Sequence, residues 1–276
     1  MYIFVKRVCY NLNKNGGSVL NNNKKALIRQ AKIRDMLFKK DVVTLKEFCD
    51  TLNASVATIR NDLTYLEKQG VLKRVLGGAV SIEGTPTNTK YSTRINLYKD
   101  IKMDIAKYAV DHYVKEGMCI GLDAGSTCHY VAQYILEKDI ECTIVTNAFN
   151  VINLLSKSDK IKLFCAGGYL DKEHNSYHDE TALKSLEGVK TDLYFLSPNG
   201  ISEEFAITST AEDENPVKKL MMENAKKTYV LADHSKFERK AEVPLAGFDE
   251  IEKIICDDYP KTKISKRKLI KVEKPQ

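Results

Sequence analysis

The chain has 276 residues, of which 43% are hydrophobic and 29% are charged, and its net charge is +6. This length predicts one or two domains, and the composition excludes wholesale disorder and a collagen-like architecture. It also excludes a transmembrane protein, because no apolar run approaches the roughly 18 residues that a membrane span needs.

Charge is distributed unevenly along the chain. Residues 1–84 carry a net charge of +8, residues 85–259 carry −8 and residues 260–276 carry +6. A basic N-terminal third attached to an acidic body is typical of a polyanion-binding module joined to a domain with another task. Solvated lysines without a partner also fit this distribution.

Residues 1–23 contain several asparagines and lack the apolar core and cleavage site of a secretory signal. We expect a flexible N-terminal extension, although an ordered arm and an upstream start codon also fit. The seven cysteines form no C-x-x-C pair and lie mostly in apolar runs, which indicates free thiols. The chain is therefore predicted to be cytoplasmic.

Helical periodicity begins at Lys24 and predicts an amphipathic helix over residues 24–38. Thr44 and Glu47 fit a capping box at the start of a short second helix. After a turn at residues 53–54, Ser55 can cap a third helix. Its residues expected to face the core are Val56, Ile59, Leu63 and Leu66.

The opposite face of this third helix is polar. A short helix, a tight turn and a second helix with an outward polar face is the geometry that enters the DNA major groove. We expect Arg60 to bond a guanine edge or a phosphate and Asn61 an adenine, with Ser55 and Thr58 near phosphates. Asp62 would repel phosphates, so it is predicted to face inward or to pair with a nearby basic side chain.

Gly70 is expected to end the third helix. Residues 71–75 and 79–82 then predict two short strands around a Gly77-Gly78 turn, and Lys73 and Arg74 are expected to meet phosphates. Residues 25–80 thus have the outline of a winged helix-turn-helix. The predicted DNA-binding residues are Thr44, Ser55, Ala57, Thr58, Arg60, Asn61, Thr64, Lys73, Arg74, Gly77 and Gly78.

Residues 44–80 resemble the DNA-binding domain of the DeoR family of bacterial transcription regulators. The family pattern is S-x-x-T-I-R-x-D-L, then L-E-x-x-G, then an arginine and G-G-A. The matching residues are Ser55, Thr58, Ile59, Arg60, Asp62, Leu63, Leu66, Glu67, Gly70, Arg74, Gly77, Gly78 and Ala79. The resemblance implies binding to double-stranded operator DNA. A three-helix module that binds protein remains the alternative.

Residues 81–98 contain Gly84, Pro86 and several threonines, which predicts a linker. Strand-like and helical segments then alternate over residues 99–260. The expected helices span 103–114 and 128–136, and the expected strands span 118–122, 143–145, 162–165, 193–196 and 228–231. This alternation predicts a Rossmann-like α/β domain with a mostly parallel sheet. The basic tail, residues 261–276, is expected either to hold a last strand or to touch DNA.

Ligands of such sheets bind beyond the carboxyl ends of the strands. Residues 123–127, D-A-G-S-T, follow the first strand and fit a phosphate cradle, although a plain capped helix needs only Ser126 or Thr127. The turns after later strands contain Lys236, which is expected to neutralise an anion, and Asp233 and Asn147, which are expected to form hydrogen bonds with hydroxyls. Each turn has a local explanation, but together they predict one pocket. The candidate effector-binding residues are Asp123, Gly125, Ser126, Thr127, Thr146, Asn147, Gly167, Gly168, Asn199, Asp233 and Lys236.

The resemblance to the DeoR family covers roughly residues 25–260, including Arg94, Lys102, Glu214 and Lys218. It implies a fold related to ribose-5-phosphate isomerase, a phosphorylated sugar or related metabolite as effector, and a homodimer or homotetramer. It also implies a repressor, here of a carbohydrate-metabolism operon.

The chain departs from this family in the predicted pocket. Its family motif F-x-G-x-x-G is replaced by Phe195-Leu196-Ser197-Pro198-Asn199-Gly200, and Asp179 and Ala206 occupy positions where glycine is expected. These side chains are predicted to reshape the pocket wall.

Two other functions fit the second domain. A phosphosugar isomerase fused to a DNA-binding domain is disfavoured, because residues 197–201 hold no carboxylate to act as a general base. A pure oligomerisation scaffold is the other alternative. His174 and His178 have the spacing of a metal pair on one helix face, but no third ligand is evident. No metal or cofactor is therefore predicted.

Overall fold

A computed structural model describes residues 16–39, 42–69, 71–75, 77–81, 91–210, 212–237 and 243–273. The chain divides into two units, Met1–Thr85 and Pro86–Gln276. Among the described residues, no helix combines the length and the apolar character needed to cross a membrane.

The first unit is a winged helix-turn-helix. Its helices are α1 (Gly16–Lys39), α2 (Leu45–Leu52) and α3 (Val56–Lys68), and its strands are β1 (Val42–Thr44), β2 (Leu72–Val75) and β3 (Gly78–Ser81). The strands form an antiparallel sheet in the order β1-β3-β2. Apolar side chains from all three helices and from the sheet pack into one core: Ile33, Leu37, Val43, Phe48, Ile59, Leu63, Leu66, Leu72 and Ala79.

Some boundaries differ from the sequence predictions. Helix α1 begins at Gly16, inside the segment predicted to be a flexible extension, whereas residues 1–15 lie outside the described part of the chain. Strand β1 is not predicted by the pattern, because three residues are too few to show a period of two. The predicted helix end at Gly70 also lies outside the described residues.

The second unit is built on a parallel sheet, as predicted. Seven of the described strands follow the order β15-β14-β12-β9-β4-β5-β6. These strands are β4 (Cys119–Leu122), β5 (Cys142–Thr146), β6 (Ile161–Cys165), β9 (Leu193–Leu196), β12 (Thr228–Ala232), β14 (Lys253–Cys256) and β15 (Leu269–Lys271). The helices are α4 (Tyr91–Arg94), α5 (Lys99–Tyr113), α6 (Ser126–Glu137), α7 (Phe149–Leu155), α8 (Glu180–Leu186) and α9 (Asn215–Asn224).

The central strands are apolar throughout because both faces of the sheet are covered. In β9, Leu193 and Phe195 belong to one hydrophobic cluster, whereas Tyr194 and Leu196 belong to a second cluster. This alternation follows from the period of two along a strand. The sheet therefore separates two cores, and all of its strands end at the same edge.

Short antiparallel elements complete this unit. Strands β7 (Leu170–Asp171) and β8 (Ser176–Tyr177) form a hairpin. Strands β10 (Gly200–Ser202), β11 (Ala206–Ser209) and β13 (Val243–Ala246) form a small sheet. These five strands were not predicted because, unlike the four-residue strand β9, none of them is a continuous run of large apolar residues.

The structure corrects one predicted boundary of this unit and decides between two alternatives for another segment. Residues 91–98, assigned to the linker, instead begin the folded unit: Tyr91 and Leu97 are buried, and Tyr91–Arg94 is helical. Residues 82–90 lie outside the described residues. In the basic tail, β15 pairs in parallel with β14, so the tail holds a last strand, one of the two predicted alternatives.

Candidate DNA-binding surface and effector pocket

The helix-turn-helix is defined by local capping. Thr44 Oγ1 accepts a hydrogen bond from Glu47 N (3.2 Å), and Thr44 N donates to Glu47 Oε2 (2.9 Å), which completes the predicted capping box of α2. Asn53, at the end of α2, has a left-handed backbone (φ 47°). Ser55 then caps α3 by accepting from Thr58 N at 3.2 Å. The caps fix where each helix begins.

The outward face of α3 carries the predicted base-reading residues. Ala57, Arg60 and Asn61 are exposed, whereas Thr58 and Thr64 are half-buried. Within the described residues, the side chains of Arg60 and Asn61 form no hydrogen bond or ion pair. Their donors and acceptors therefore face solvent, as the predicted DNA contacts require.

Val56 was predicted to face the core, and this prediction is wrong. Its side chain is 47% exposed, whereas Ile59, Leu63 and Leu66 are at most 1% exposed. Val56 lies in the first turn of α3, before Ile59, which is the first residue of the helix that packs into the core. Helical spacing identifies the face on which Val56 lies but not where the packing partner ends.

Asp62 faces inward, as predicted. It is 4% exposed, and its carboxylate accepts hydrogen bonds from Arg29 and from Gln30 Nε2 (2.9 Å), both on α1. A buried carboxylate needs such partners. Asp62 thus ties α3 to α1.

In the wing, Arg74 is held within the unit. Its Nε donates to Glu67 Oε2 (2.6 Å) and one terminal nitrogen donates to Thr64 Oγ1 (3.0 Å). The hydrogen bonds from Arg74 lower the pKa of Glu67 below its ordinary value. Lys73 is exposed. The predicted phosphate contact is therefore more accessible to Lys73 than to Arg74.

Both wing glycines are required by the backbone. Gly77 has φ +83°, a conformation that favours glycine. A Cβ atom on Gly78 would lie 2.3 Å from the carbonyl oxygen of Val43 on the paired strand β1. The Gly-Gly pair thus forms the turn and lets two strands approach closely.

In the second unit, the parallel strands bring several predicted residues to one edge. Asp123, Asn147, Ser197 and Asp233 directly follow β4, β5, β9 and β12, respectively. Ser197 N donates to Asp123 Oδ2 at 3.0 Å, and Thr146 Oγ1 donates to the carbonyl oxygen of Leu122 at 2.7 Å. The strand ends therefore interact directly.

Asp123 is completely buried and paired with Lys218 of α9. The Lys218 Nζ atom lies 2.7 and 2.9 Å from the two carboxylate oxygens and 3.7 Å from Glu214 Oε2. Burial lowers the pKa of Lys218, but Asp123 and Glu214 outweigh this effect and raise it above its ordinary value. A search for polar residues after strand ends does not find Lys218, because Lys218 lies on a helix. The signal that could have identified it is a lysine on the same helix as the apolar residues Val217 and Met221.

Asp233 is also buried, at 1% exposure. Its Oδ1 atom accepts from Ser235 N (3.1 Å), and its Oδ2 atom lies 3.9 Å from Lys102 Nζ. Burial raises the pKa of Asp233, but Lys236 and Lys102 outweigh this effect and lower it below its ordinary value. Asp233 thus anchors the turn that presents Lys236.

The predicted phosphate cradle begins α6. Gly125 is the N-cap of this helix and makes no side-chain cap, and Ser126 and Thr127 are buried. A Cβ atom on Gly125 would lie 2.0 Å from the Cβ atom of Ser197. Ser197, one of the departures from the family pattern, therefore packs directly against the cradle.

The other departures have local explanations. Asp179 caps α8 by accepting from Ala182 N (3.0 Å) and also accepts from Tyr169 N (3.0 Å). A Cβ atom on Gly168 (φ +119°) would lie 2.1 Å from Asp179 Oδ1, so Asp179 fills the space beside the Gly167-Gly168 turn. Ala206 has φ 53°, which explains why glycine is expected there.

Buried polar atoms without hydrogen-bond partners lie in and next to this edge. Within the described residues they include Asn147 Oδ1, Asn150 Oδ1, Arg94 Nε and Asp233 Oδ2. Buried polar atoms are normally satisfied, so a group of exceptions needs an explanation. A polar ligand supplies one. The Asn199 side chain is half-buried at the end of the Ser197-Pro198 turn, where its backbone N donates to Thr208 O (3.1 Å).

This unit also has a surface cavity. It has a volume of about 370 Å³ and is lined by residues that include Ile201, Phe237 and Lys261. Since none of the predicted effector-binding residues lines it, we locate the candidate effector site at the strand ends, where the charged and unpartnered groups lie.

The predicted helical histidine pair is not helical. His174 precedes strand β8 and His178 follows it, with ring centroids 6.3 Å apart. Across the described residues, no group of three or more histidine, cysteine, aspartate or glutamate side chains is arranged to hold a metal. The cysteines of the described segments are free.

Comparisons with known proteins match both units. Residues 29–85 match the DeoR-like helix-turn-helix domain, and residues 98–258 match the DeoR C terminal sensor domain. The L-fucose operon activator of Escherichia coli (strain K12) is 31% identical over 232 residues, which cover 83% of this chain and 94% of that protein.

Two further similarities involve a second regulator and a solved enzyme structure. The HTH-type transcriptional repressor GlcR of Bacillus subtilis (strain 168) is 31% identical, over 84% of this chain and 88% of that protein. Ribose 5-phosphate isomerase A from Methanocaldococcus jannaschii aligns with a TM-score of 0.37 and 24% identity, over 52% of this chain and 56% of that chain.

Proposed function

Because the chain belongs to the DeoR family of DNA-binding transcriptional regulators, we propose that α3 and the wing bind operator DNA. The observation that carries this proposal is the outward face of α3, with Arg60 and Asn61 exposed and Asp62 turned inward. A helix of this kind enters the major groove and reads base edges. The capped N-terminus of α3 and the exposed Lys73 then lie where phosphates are bound.

We further propose that a phosphorylated sugar or related metabolite binds at the strand ends of the sensor unit. The cations Arg94, Lys102, Lys218 and Lys236 lie in this group, and the buried Nε of Arg94 has no hydrogen-bond partner among the described residues. A buried cationic donor without a partner favours an anionic ligand. The hydroxyls and amides at the strand ends suit a sugar.

The regulated genes are proposed to form a carbohydrate-metabolism operon, with the chain acting as a repressor. The name of one relative, an L-fucose operon activator, supports a carbohydrate operon, and the name of another, the transcriptional repressor GlcR, supports repression. Effector binding weakens operator affinity if the effector prefers the state that binds DNA less tightly. We propose a homodimer or homotetramer, because paired half-sites require paired recognition helices.

We propose no catalytic activity for the sensor unit. Among its carboxylates at the strand ends, Asp123 and Asp233 are held by Lys218, Lys102 and a serine, and Asp257 accepts a hydrogen bond from His234 N. Residues 197–201 contain no carboxylate. A general base must be near the proton that it abstracts and available to accept it. Loss of a sugar phosphate over time in the presence of purified protein would contradict this part of the proposal.

The experiment that tests DNA binding is selection of bound fragments from the DNA surrounding the gene that encodes this chain. Fluorescence anisotropy in dilute buffer then compares the selected fragment with a scrambled duplex. We expect a strong preference for the selected fragment, which decreases as salt is added because phosphate contacts release counterions. Equal binding to both duplexes in the absence of sugar phosphates would overturn the proposal.

A further inference from the structure

Residues 91–98 lie in the sequence between the DNA-binding unit and α5. We call these residues the connecting segment. It is docked on the sensor unit by hydrogen bonds: Asn150 Nδ2 donates to the Tyr91 hydroxyl, and Tyr130 OH donates to the Ile95 carbonyl oxygen (2.7 Å). Lys102 Nζ donates to the carbonyl oxygen of Arg94 (2.6 Å).

The side chain of Arg94 is the unsatisfied part of this segment. Its Nε atom is buried and has no hydrogen-bond partner within the described residues. The guanidinium carbon lies 6.0 Å from the centre of the Tyr91 ring. Arg94 is also close enough to Lys218 to disfavour the charged form of that lysine. Two cations therefore face one group of strand ends, and Asp123 pairs with only one of them.

Such an arrangement favours a bound anion on energetic grounds. Buried donors without partners are costly, and like charges in a poorly solvated region repel. The planar fork of an arginine matches the oxygens of a phosphoryl group or carboxylate. Asn150, whose Oδ1 is also unpartnered, adds an acceptor for a hydroxyl next to this fork.

We propose that Arg94 binds the anionic group of the effector, and that the effector thereby fixes the connecting segment to the sensor unit. This inference rests on the proposed function. The effector then contacts the first described stretch of the second unit, which follows the DNA-binding unit in the sequence. If the docked and undocked states of the segment differ in their affinity for the effector and in their affinity for DNA, effector binding changes DNA binding. DNA binding then changes effector affinity by the same factor.

The end of the connecting segment has an unusual backbone conformation. Tyr98 has φ 54°, a left-handed conformation that is strained for a bulky residue. Its ring packs edge-on against His234 at 4.8 Å, in the turn that follows Asp233. Both ends of the segment therefore contact residues that lie close in sequence to the predicted pocket residues: Tyr91 contacts Asn150, and Tyr98 contacts His234.

The first test is anion binding by the full chain. Thermal unfolding is followed with inorganic phosphate and with a panel of sugar phosphates (ribose 5-phosphate, glucose 6-phosphate, fructose 1-phosphate), each matched to sodium chloride of equal ionic strength. We expect a concentration-dependent rise in Tm for the wild type. Arg94→Gln should weaken the binding at least tenfold. Arg94→Lys should weaken it less, because the positive charge is kept although the planar guanidinium is lost.

The fold of the variants is checked within the same experiment. The contact from Lys102 uses the backbone oxygen of Arg94, so it survives both substitutions. Arg267→Gln, at an exposed arginine of the same unit, is the matched control and should bind like the wild type. Anion binding by Arg94→Gln that equals the wild type would overturn the inference.

The second test separates coupling from binding. Tyr91→Phe removes the hydroxyl that Asn150 contacts and leaves Arg94 in place. We expect anion binding to change less than threefold, and the effect of a bound sugar phosphate on operator affinity to decrease at least threefold. If the effect on operator affinity is undiminished, the connecting segment is not the coupling element.

The outcomes also distinguish this inference from the proposed function. A wild type that binds no duplex selectively contradicts the DNA-binding proposal. A wild type that binds its operator but gains no stability from any anion of the panel contradicts the effector class and the role of Arg94 together. A wild type that responds, with an Arg94→Gln variant that responds equally, contradicts only the role of Arg94.

Discussion

The two units place their candidate functional groups in opposite environments. On α3, Arg60 and Asn61 are exposed, and the caps that position them are local. At the strand ends of the sensor, Asp123 and Lys218 are buried and paired across 95 residues of chain. Groups that meet a large partner can remain solvated until the partner arrives, whereas the buried charges of Asp123 and Lys218 are satisfied within the fold. Substitutions on α3 should therefore affect binding, and substitutions at the strand ends should affect stability as well.

The largest effect is expected at the buried ion pair of the sensor. Lys218→Met leaves Asp123 buried without its charged partner, and breaking such a pair costs about 3–5 kcal/mol of folding free energy. Urea unfolding of the full chain, followed through the sensor transition, measures this loss. The matched control is Lys219→Met, at the exposed neighbouring position, which should change the stability by less than about 0.5 kcal/mol. Equal stability of both variants would show that the pair is not needed for the fold.

The core of the DNA-binding unit gives the next effect. Ile59→Ala removes a completely buried side chain and should cost about 2–5 kcal/mol of that unit's stability. Val56→Ala, one turn earlier on α3, should cost less than about 1 kcal/mol, because Val56 is 47% exposed. Thermal and urea unfolding compare the two variants. Similar losses at both positions would restore the sequence prediction that Val56 faces the core.

The sequence predicted the DNA-binding unit more completely than the sensor pocket for a physical reason. Thr44 with Glu47, and Ser55 with Thr58, are contacts between residues three positions apart, so the pattern contains them. Val56 was misplaced because periodicity does not reveal the extent of the packing partner. The role of Asp62 was predicted from charge alone, although its partners Arg29 and Gln30 were not.

In the sensor unit, the sequence located the strand ends but not their pairing. Apolar runs and turn residues predicted where Asp123, Asn147 and Asp233 lie. The pairing of Asp123 with Lys218 depends on tertiary packing that spacing does not encode. His174 and His178 are four residues apart, as on one face of a helix, but strand β8 lies between them. The linker composition likewise concealed that Tyr91 and Leu97 are buried.

Arg60→Ala tests the DNA-binding side of the comparison. If Arg60 contacts a base, operator binding should weaken by about 1–3 kcal/mol, with relaxed specificity at one base pair. The unit's stability should change by no more than about 0.5 kcal/mol, because the side chain is exposed. Anisotropy titrations against single-base operator variants measure the first quantity and urea unfolding the second.

The control for this prediction is Lys157→Ala, which removes an exposed cation from the sensor unit. It should leave operator affinity and its salt dependence unchanged. Lys73→Ala should weaken binding to all duplexes similarly and reduce the slope of log affinity against log salt by about one. An Arg60→Ala protein that binds its operator like the wild type would remove Arg60 from the recognition surface.

The smallest predicted effect concerns Ala206, where this chain has a side chain at a position expected to hold glycine. Ala206 begins β11 with φ 53°, and a left-handed alanine costs about 1–2 kcal/mol relative to a compatible backbone. Glycine removes this strain but is more flexible in the unfolded chain, which offsets about 0.4–1 kcal/mol. Ala206→Gly should therefore stabilise the sensor by about 0.5–1 kcal/mol in urea unfolding. Ala225→Gly, at an ordinary φ of −92°, should have the opposite sign, and destabilisation by both variants would show that the backbone at Ala206 is not strained.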